Sequence, residues 1–295
     1  LLDNIAPLGE CNLVHQVSQQ LPIFTLSEIL GIPEEDRQKL VSWMEFLELA
    51  QYFTYEMIKE QNEGKSDSTP DPAMIDMFNV MVDEMFDYGR FILKNKRENP
   101  SDDLLSAIAN AKIEDKKLTD EFLDGSWLLI IFAGNDTTRN TMSGGIKLLH
   151  ENQTQKDLLM QNLDLLPNFI NETVRCVSPV IHMRRTSLEE TEINGQKIGP
   201  YEKISLWYGA ANRAPDIFKN PDEFNILREN ADKHLAFGIG RHTCLGKPVA
   251  LMQLKEFYSQ FLTRFKDFEM NGDWKVAPNN FVHAIQEMPI KFTPE

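Results

Sequence analysis

The stretch "LTDEFLDGSWLLIIFAGNDTTRNTMSGGIKLLHEN", residues 118–152, constrains the fold more than any other. Its spacing predicts one long helix. Thr119 is placed to cap it, and Asp120 and Glu121 suit the positive end of its dipole. The middle is apolar nearly all round, so this helix has to run through a core rather than across a surface. Its most apolar run, "WLLIIFAG" at 127–134, is far too short to span a bilayer.

The rest of the chain supplies what could wrap such a helix. "TLSEILGIPEEDRQKLVSWMEFLELA" reads as helical runs on either side of a Gly-Ile-Pro break. In "AMIDMFNVMVDEMFDYGRFILKNKRE", Met77, Val80, Met81, Met85 and Phe91 form a helical stripe expected in the core. The polar segment "NEGKSDSTPDP" at 62–72 predicts a surface loop. "LPNFINETVRCV" is a shorter helix, and a last helix from about Leu245 places Leu251, Leu254, Tyr258, Phe261 and Phe265 on one face. Between them lie short strands. "EINGQKI" turns at Asn194-Gly195, "EKISLWYG" reads as a strand and "HMRRT" as an edge strand. No repeat and no second boundary is visible. The expectation is a single domain over residues 1–295, mainly α with small β-sheets.

Composition excludes several function classes. Hydrophobic residues at 42% and charged residues at 25% suit a soluble globular protein. A net charge of −15 argues against a nucleic acid or an anionic membrane as partner. Cys11, Cys176 and Cys244 are few, odd in number and far apart, which points to a reducing, cytoplasmic setting rather than a disulfide framework. No signal peptide or membrane span is seen. The opening "LLDNIAPLGE" reads as the middle of a domain, as if an N-terminal part were missing.

The loop "FGIGRHTCLG", 237–246, sets Cys244 among Gly238, Gly240 and Gly246. Three glycines give a permissive backbone without side-chain bulk, so a flat partner can come close. The position before a helix N-terminus favours a thiolate. A buried cysteine acting as a small hydrophobe is the bland alternative. A structural zinc site lacks paired ligands, and a Cys/His nucleophile lacks a base in line with the sulfur. An axial thiolate to haem iron needs one cysteine and one open face, with Arg241 and His242 near the haem carboxylates. The third use fits best, and the loop alone does not decide.

A second constellation, "FAGNDTT", sits inside the long helix. Thr137 can return its hydroxyl to the Ala133 carbonyl and bend the helix, while Gly134 leaves room beside the bend for a small molecule. Asp136 adds an acid in an apolar setting. An acid and an alcohol beside a gap could pass protons to bound dioxygen. "ETVR" places Glu172 and Arg175 three apart on a helix, where they can pair. His15, His150, His182, His234 and His283 are scattered and read as surface or core histidines.

Taken in order, "AGNDTT", "ETVR", "ANRAPDIFKNPDEFNILR" and "FGIGRHTCLG" resemble the cytochrome P450 family of haem-thiolate monooxygenases. The cysteine loop matches that family's pattern Phe-x-x-Gly-x-(His/Arg)-x-Cys-x-Gly at every defined position. The resemblance implies a cytochrome P450 fold with its N-terminal part missing, and haem b (iron protoporphyrin IX) as cofactor. It implies Cys244 as the iron ligand, with Phe237 shielding the sulfur and Gly238, Gly240 and Gly246 shaping the loop. His242 and Arg184 fall where the family contacts the haem propionates. Glu172, Arg175 and Arg228 fall at a buried charge network. Asp136 and Thr137 match the acid–alcohol pair, with Ala133 and Gly134 lining an oxygen pocket.

The implied reaction is hydroxylation of an unactivated C–H bond with O2 and two electrons. No flavin or iron–sulfur motif is present, so a ferredoxin and its NAD(P)H-driven reductase are the expected donors. The implied substrate is small and hydrophobic: a terpene alcohol such as linalool, an alkane or a fatty acyl chain. Val180, Ile181, Phe281 and Val282 are apolar residues that could face it. A sterol side chain is the alternative, as is a non-catalytic haem protein or inactive fragment.

Overall fold

The computed structural model describes residues 1–47, 62 and 72–295. In chain order its first elements are α1 (Leu2–Ile5), β1 (Glu10–Asn12), α2 (Gln20–Leu30) and a helix described over 37–47, α3. There follow α4 (Pro72–Glu98), α5 (Leu104–Ala109), β2 (Lys112–Ile113), β3 (Lys116–Lys117), α6 (Asp120–Ala133) and α7 (Asp136–Glu151). Next come α8 (Gln153–Gln161), α9 (Leu166–Val177), β4 (His182–Thr186), β5 (Thr191–Ile193), β6 (Gln196–Ile198) and β7 (Lys203–Trp207). The last are α10 (Tyr208–Ala211), α11 (Lys247–Arg264), β8 (Glu269–Met270), β9 (Lys275–Val276), β10 (Ile285–Glu287) and β11 (Pro289–Lys291). This is a mainly helical chain with small sheets, as its periodicities predict. The expected loop at 62–72 lies, apart from its two end residues, outside the described residues. Two compact units emerge, one of Gln19–Asp136 and one of Leu1–Ser18 with Thr137–Glu295.

The Gln19–Asp136 unit is built round aromatic rings. Trp43 lies 5.4 Å from Tyr88 and 6.5 Å from Trp127, and the Trp127 indole donates to the Met85 carbonyl at 3.0 Å. Gly89 lets α4 close on α6, because a Cβ there would sit 2.5 Å from the Trp127 ring. That contact decides which face of α4 is buried. Met85, Gly89, Ile92 and Leu93 face inward, whereas Met77, Val80 and Phe91 are exposed. The predicted core stripe is therefore corrected to its Met81–Met85 part. Counted from Gly89 at about 100° per residue, Val80 lies roughly 180° and Phe91 roughly 160° round the helix. Both stripes have helical spacing, and only the glycine–indole approach chooses between them.

The long helix is also two helices. Thr119 caps α6 as expected, accepting from the Phe122 N–H at 3.3 Å. The helix then ends where the Gly134 N–H reaches the Ile130 carbonyl at 3.0 Å, and α7 begins at Asp136. Gly134 and Asn135 are poor helix formers, and Asp136 is a residue type that favours helix starts. At Gly134 a Cβ would meet the Leu26 methyls at 3.0 and 3.1 Å, so its missing side chain is matched by packing. Asn135 is fully buried at the break.

In the other unit, α7, α9 and α11 close on one another through a second glycine pair. A Cβ at Gly144 would lie 2.6 Å from Val177, and one at Gly145 would collide with the Tyr258 hydroxyl. Tyr258 is wholly buried, donates to the Thr141 carbonyl at 2.8 Å and meets the Phe169 ring edge-on at 4.8 Å. Along the predicted face of α11, Leu254, Tyr258 and Phe261 are buried, and Phe265 follows just beyond its end. β1 and β8 flank β11 in a three-stranded antiparallel sheet, with Glu10 opposite Lys291. Arg264 adds ion pairs to Asp3 (2.7 Å) and to Glu295 (2.5 Å). The hairpin at Asn194-Gly195 is present, with φ of 51° and 80°, the left-handed pair that a two-residue turn between β5 and β6 requires. β4 and β7 pair antiparallel from His182↔Trp207 to Thr186↔Lys203.

Gly145→Ala should lower stability by about 2 kcal/mol or more, since neither the fully packed Tyr258 ring nor the helix backbone can give way. Chemical denaturation measures it, and an unchanged midpoint would contradict the packing described.

Candidate functional site

A carboxylate with no access to water organises one face of the Thr137–Glu295 region. Glu172, on α9, is 0% exposed. Arg175, one turn on and equally buried, donates to both its oxygens at 2.8 Å. Arg228 donates to the same carboxylate at 3.0 and 3.1 Å. Burial pushes the Glu172 carboxyl upward, but Arg175, the Asn225 N–H and Arg228 outweigh burial and hold it below its ordinary range. The two guanidiniums spend their remaining donors on main-chain carbonyls. Arg175 reaches Asn212, Pro221 and Glu223, and Arg228 reaches Lys219, Asn220 and Glu223. A loop without regular structure is thereby held by side chains rather than by a sheet.

That loop leads into the cysteine segment. The fully buried Asn212 side chain donates to Ser178 at 2.8 Å, and its Oδ1 accepts the Leu235 N–H at 2.6 Å. His234 is buried, lies 5.6 Å from the Phe237 ring and accepts the Ala236 N–H at 3.3 Å. Burial, with nearby Lys247, pushes its imidazole down to about 4, so the ring is neutral at pH 7. Neither residue stands out in the sequence: Asn212 is one polar residue within "ANRAP", and His234 one of several dispersed histidines.

The segment itself is a tight turn with one open side. The Cys244 N–H donates to the Phe237 carbonyl at 2.8 Å, and a 3-10 turn spans Gly240–His242. Gly238 and Gly240 have φ of 69° and 74°, which residues with a side chain rarely adopt. Gly238 also packs against backbone, since a Cβ would lie 3.3 Å from the His242 carbonyl oxygen, while a Cβ at Gly240 would meet nothing. Gly246 caps α11, and the nearest atom to its absent Cβ is the Cys244 sulfur at 3.9 Å. His242, Arg241 and Lys247 are exposed, and the Lys247 ammonium lies 5.4 Å from the Phe237 ring centre.

Three free cysteines thus have two fates. Burial pushes the Cys11 thiol up to about 12 and Cys176 to about 11, which makes both inert. Cys244 alone is exposed, between Ile239 at 76% and Leu245 at 84% exposure. An accessible sulfur framed by apolar side chains and glycine backbone is a cradle for a flat, apolar, thiophilic group. These residues fit an iron porphyrin. Among the described residues no group of three or more His, Cys, Asp and Glu could hold a metal ion, and no helix is long and apolar enough to cross a membrane.

The remaining expected residues have separate placements. Arg184 is exposed on β4, opposite Ser205 of β7. Ala133 ends α6 and Gly134 follows it; Asp136, buried, opens α7, and Thr137 is half-buried with its carbonyl accepting from Thr141 at 2.7 Å. Val180 bridges Val282, and the Ile181 N–H donates to the Phe281 carbonyl at 2.8 Å, so these four apolar residues lie together.

Comparison with known proteins gives the family. The sequence model of the cytochrome P450 family matches residues 65–293. The chain is 32% identical to a steroid C26-monooxygenase of Mycolicibacterium smegmatis, covering 100% of this chain and 70% of that protein. It is 32% identical to linalool 8-monooxygenase of Pseudomonas putida, covering 98% and 67%. The crystal structure of P450BioI in complex with hexadec-9Z-enoic acid ligated acyl carrier protein superposes with a TM-score of 0.83 at 28% identity, over 99% of this chain and 71% of that one. The family binds haem b.

Because the folded Glu172 carboxyl lies below its unfolded value, its stabilisation is complete above the ordinary carboxylate range and is lost as pH falls through the depressed value. Glu172→Gln should cost about 3 kcal/mol or more at neutral pH, since it leaves two buried guanidiniums uncompensated. Denaturation titrations should show the gap to the unaltered protein narrowing in acid; a gap independent of pH would contradict the assignment.

Proposed function

The chain belongs to the cytochrome P450 family of haem monooxygenases, and on that premise we propose that it hydroxylates an unactivated C–H bond of a hydrophobic, aliphatic substrate. The observation that carries the reading is the contrast among the cysteines: Cys11 is buried, Cys176 is half-buried, and Cys244 alone is offered to a partner on a glycine-shaped turn. The reading takes residues 1–295 as one domain of that family, since the match runs across both compact units.

In this reading Cys244 would hold the haem through its thiolate, and Gly238, Gly240 and Gly246 would leave the turn free of side chains where the haem approaches. Phe237 shields the sulfur from behind. Arg184 and His242 pair with the haem carboxylates. When bound, the haem supplies oxygen activation and the oxidation of carbon, helped by electron donation from sulfur. Ala133 and Gly134 would line the pocket for dioxygen, and the Asp136 carboxyl and Thr137 hydroxyl would hold and pass protons into it. Glu172, Arg175 and Arg228 do no chemistry; they hold the loop that positions Cys244.

Electrons arrive from a ferredoxin, reduced by its NAD(P)H-dependent reductase. Arg241 and Lys247 are exposed cations beside the cysteine on a chain of net charge −15, which suits an acidic donor. The protein works in the cytoplasm, where its three thiols stay free. The apolar group of Val180, Ile181, Phe281 and Val282 favours an aliphatic chain, such as a terpene alcohol like linalool, an alkane or a fatty acyl group. A sterol side chain is the second reading, favoured by likeness to a steroid C26-monooxygenase.

The reduced, carbon monoxide-treated protein should show the absorption of a thiolate-ligated haem, and Cys244→Ser should abolish it. A thiolate spectrum that survives the substitution would end the proposal. Reconstituted with a ferredoxin and its reductase, the protein should hydroxylate a member of these substrate classes, and Thr137→Ala should divert most electrons to peroxide. Full product yield from that variant would remove Thr137 from proton delivery, and turnover only with a flavoprotein donor would replace the ferredoxin.

A further inference from the structure

The outer side of α4 is used neither by the core nor by the chemistry proposed above. At about 100° per residue, Val80, Glu84, Asp87 and Phe91 fall within about 60° of one another, opposite Gly89. Val80 is 64% exposed and Phe91 66%, and Met77 carries the apolar side a turn further toward the helix start. Isolated exposed apolar residues are ordinary surface. Val80 and Phe91 instead border a cavity, an open groove of about 570 Å³ that α4 forms with Lys39 of α3. Asp83, Glu84, Asp87 and Tyr88 complete its lining.

The groove is negative. Its one cation, Lys39, is already spent, paired with Asp36 at 2.7 Å and held 5.0 Å from the Tyr88 ring centre. Arg90 binds Asp124 at 2.7 Å and reaches Asp87 only at 3.3 Å, so Asp87 is partly neutralised. Asp83 and Glu84 are exposed and have no cation partner among the described residues. A second copy of a chain of net charge −15 would meet repulsion here, as would a nucleic acid or an anionic membrane.

We propose that this groove docks a basic amphipathic helix of a partner protein. Val80 and Phe91 stand about 16 Å apart along the axis, three helical turns, with the carboxylates between them. A helix laid along α4 matches that order with apolar side chains at its two ends and Lys or Arg in the middle. The groove lies wholly within the Gln19–Asp136 unit, and the proposal does not rest on the role given to Cys244.

The test titrates the full, haem-loaded chain against a fluorescent four-turn peptide of leucine and lysine in amphipathic spacing. A second peptide has glutamate at every lysine position. The variants are Asp83→Asn with Glu84→Gln, Phe91→Ala, and Glu189→Gln with Glu190→Gln as an exposed acidic control outside this unit. Anisotropy should show the Asp83/Glu84 variant binding the lysine peptide about tenfold more weakly, and Phe91→Ala about fivefold. The control should stay within about twofold, the glutamate peptide should not bind, and added salt should weaken the unaltered protein more than the Asp83/Glu84 variant. All substituted residues are exposed, so melting profiles should not move.

Equal affinity across all four proteins would mean general attraction to an acidic chain and would overturn the assignment. Weakening on charge removal but none in Phe91→Ala would leave no groove-bound helix and would overturn it too. A free protein that sediments as a dimer, and as a monomer after Phe91→Ala, would give the groove to a second copy instead.

Discussion

One buried carboxylate carries more of this architecture than any other group. Glu172 takes donors from two guanidiniums and one backbone amide, and those guanidiniums fasten five carbonyls of the segment 212–223. Such a segment has no sheet or helix of its own in which to satisfy its polar groups. Without the ionic anchor its carbonyls would need water, and the segment would lift from α9. The energetics are asymmetric. The intact trio contributes little relative to a well-packed apolar equivalent, while loss of the one anion strands two cations in the core. Its return is shape: through Asn212 and Leu235 it fixes where the cysteine turn begins.

The cysteine turn shows the complementary strategy, in which geometry comes from what is left out. Two left-handed glycines fold the turn, a third caps α11, and the main-chain bond from Cys244 to Phe237 sets the direction of the sulfur. The nearby His234 is kept neutral by burial, so it adds shape without adding charge. The other two thiols are withdrawn from chemistry by the same physical effect. A single reactive sulfur is thus selected by burial and exposure, with no need for special sequence context at the other two.

Much of this was legible in the residues. The Thr119 cap, the Asn194-Gly195 hairpin and the α11 face follow from local rules that tertiary contacts did not override. The Glu172–Arg175 pair was visible as a spacing, but its burial was not, because exposed pairs of the same spacing are common. Two readings failed for a shared reason. The α4 stripe and the unbroken helix over 118–152 were judged from periodicity, and both were decided by close approach at a glycine. Gly89 admits the Trp127 ring and Gly134 admits the Leu26 methyls. A neighbour that is remote in sequence leaves no trace in a hydrophobic pattern. Asn212 and His234 were hidden likewise, since each depends on partners supplied by folding.

The pairing of β1 with β11 has a consequence for how such a chain comes into being. Glu10 meets Lys291, the Glu295 N–H reaches the Ala6 carbonyl, and Arg264 grips Asp3 and Glu295 together. During synthesis β1 must wait, unpaired, until β11 has left the ribosome. The local helices can form long before then, but this sheet is a late seam, closed only against the entropy of a very long intervening loop.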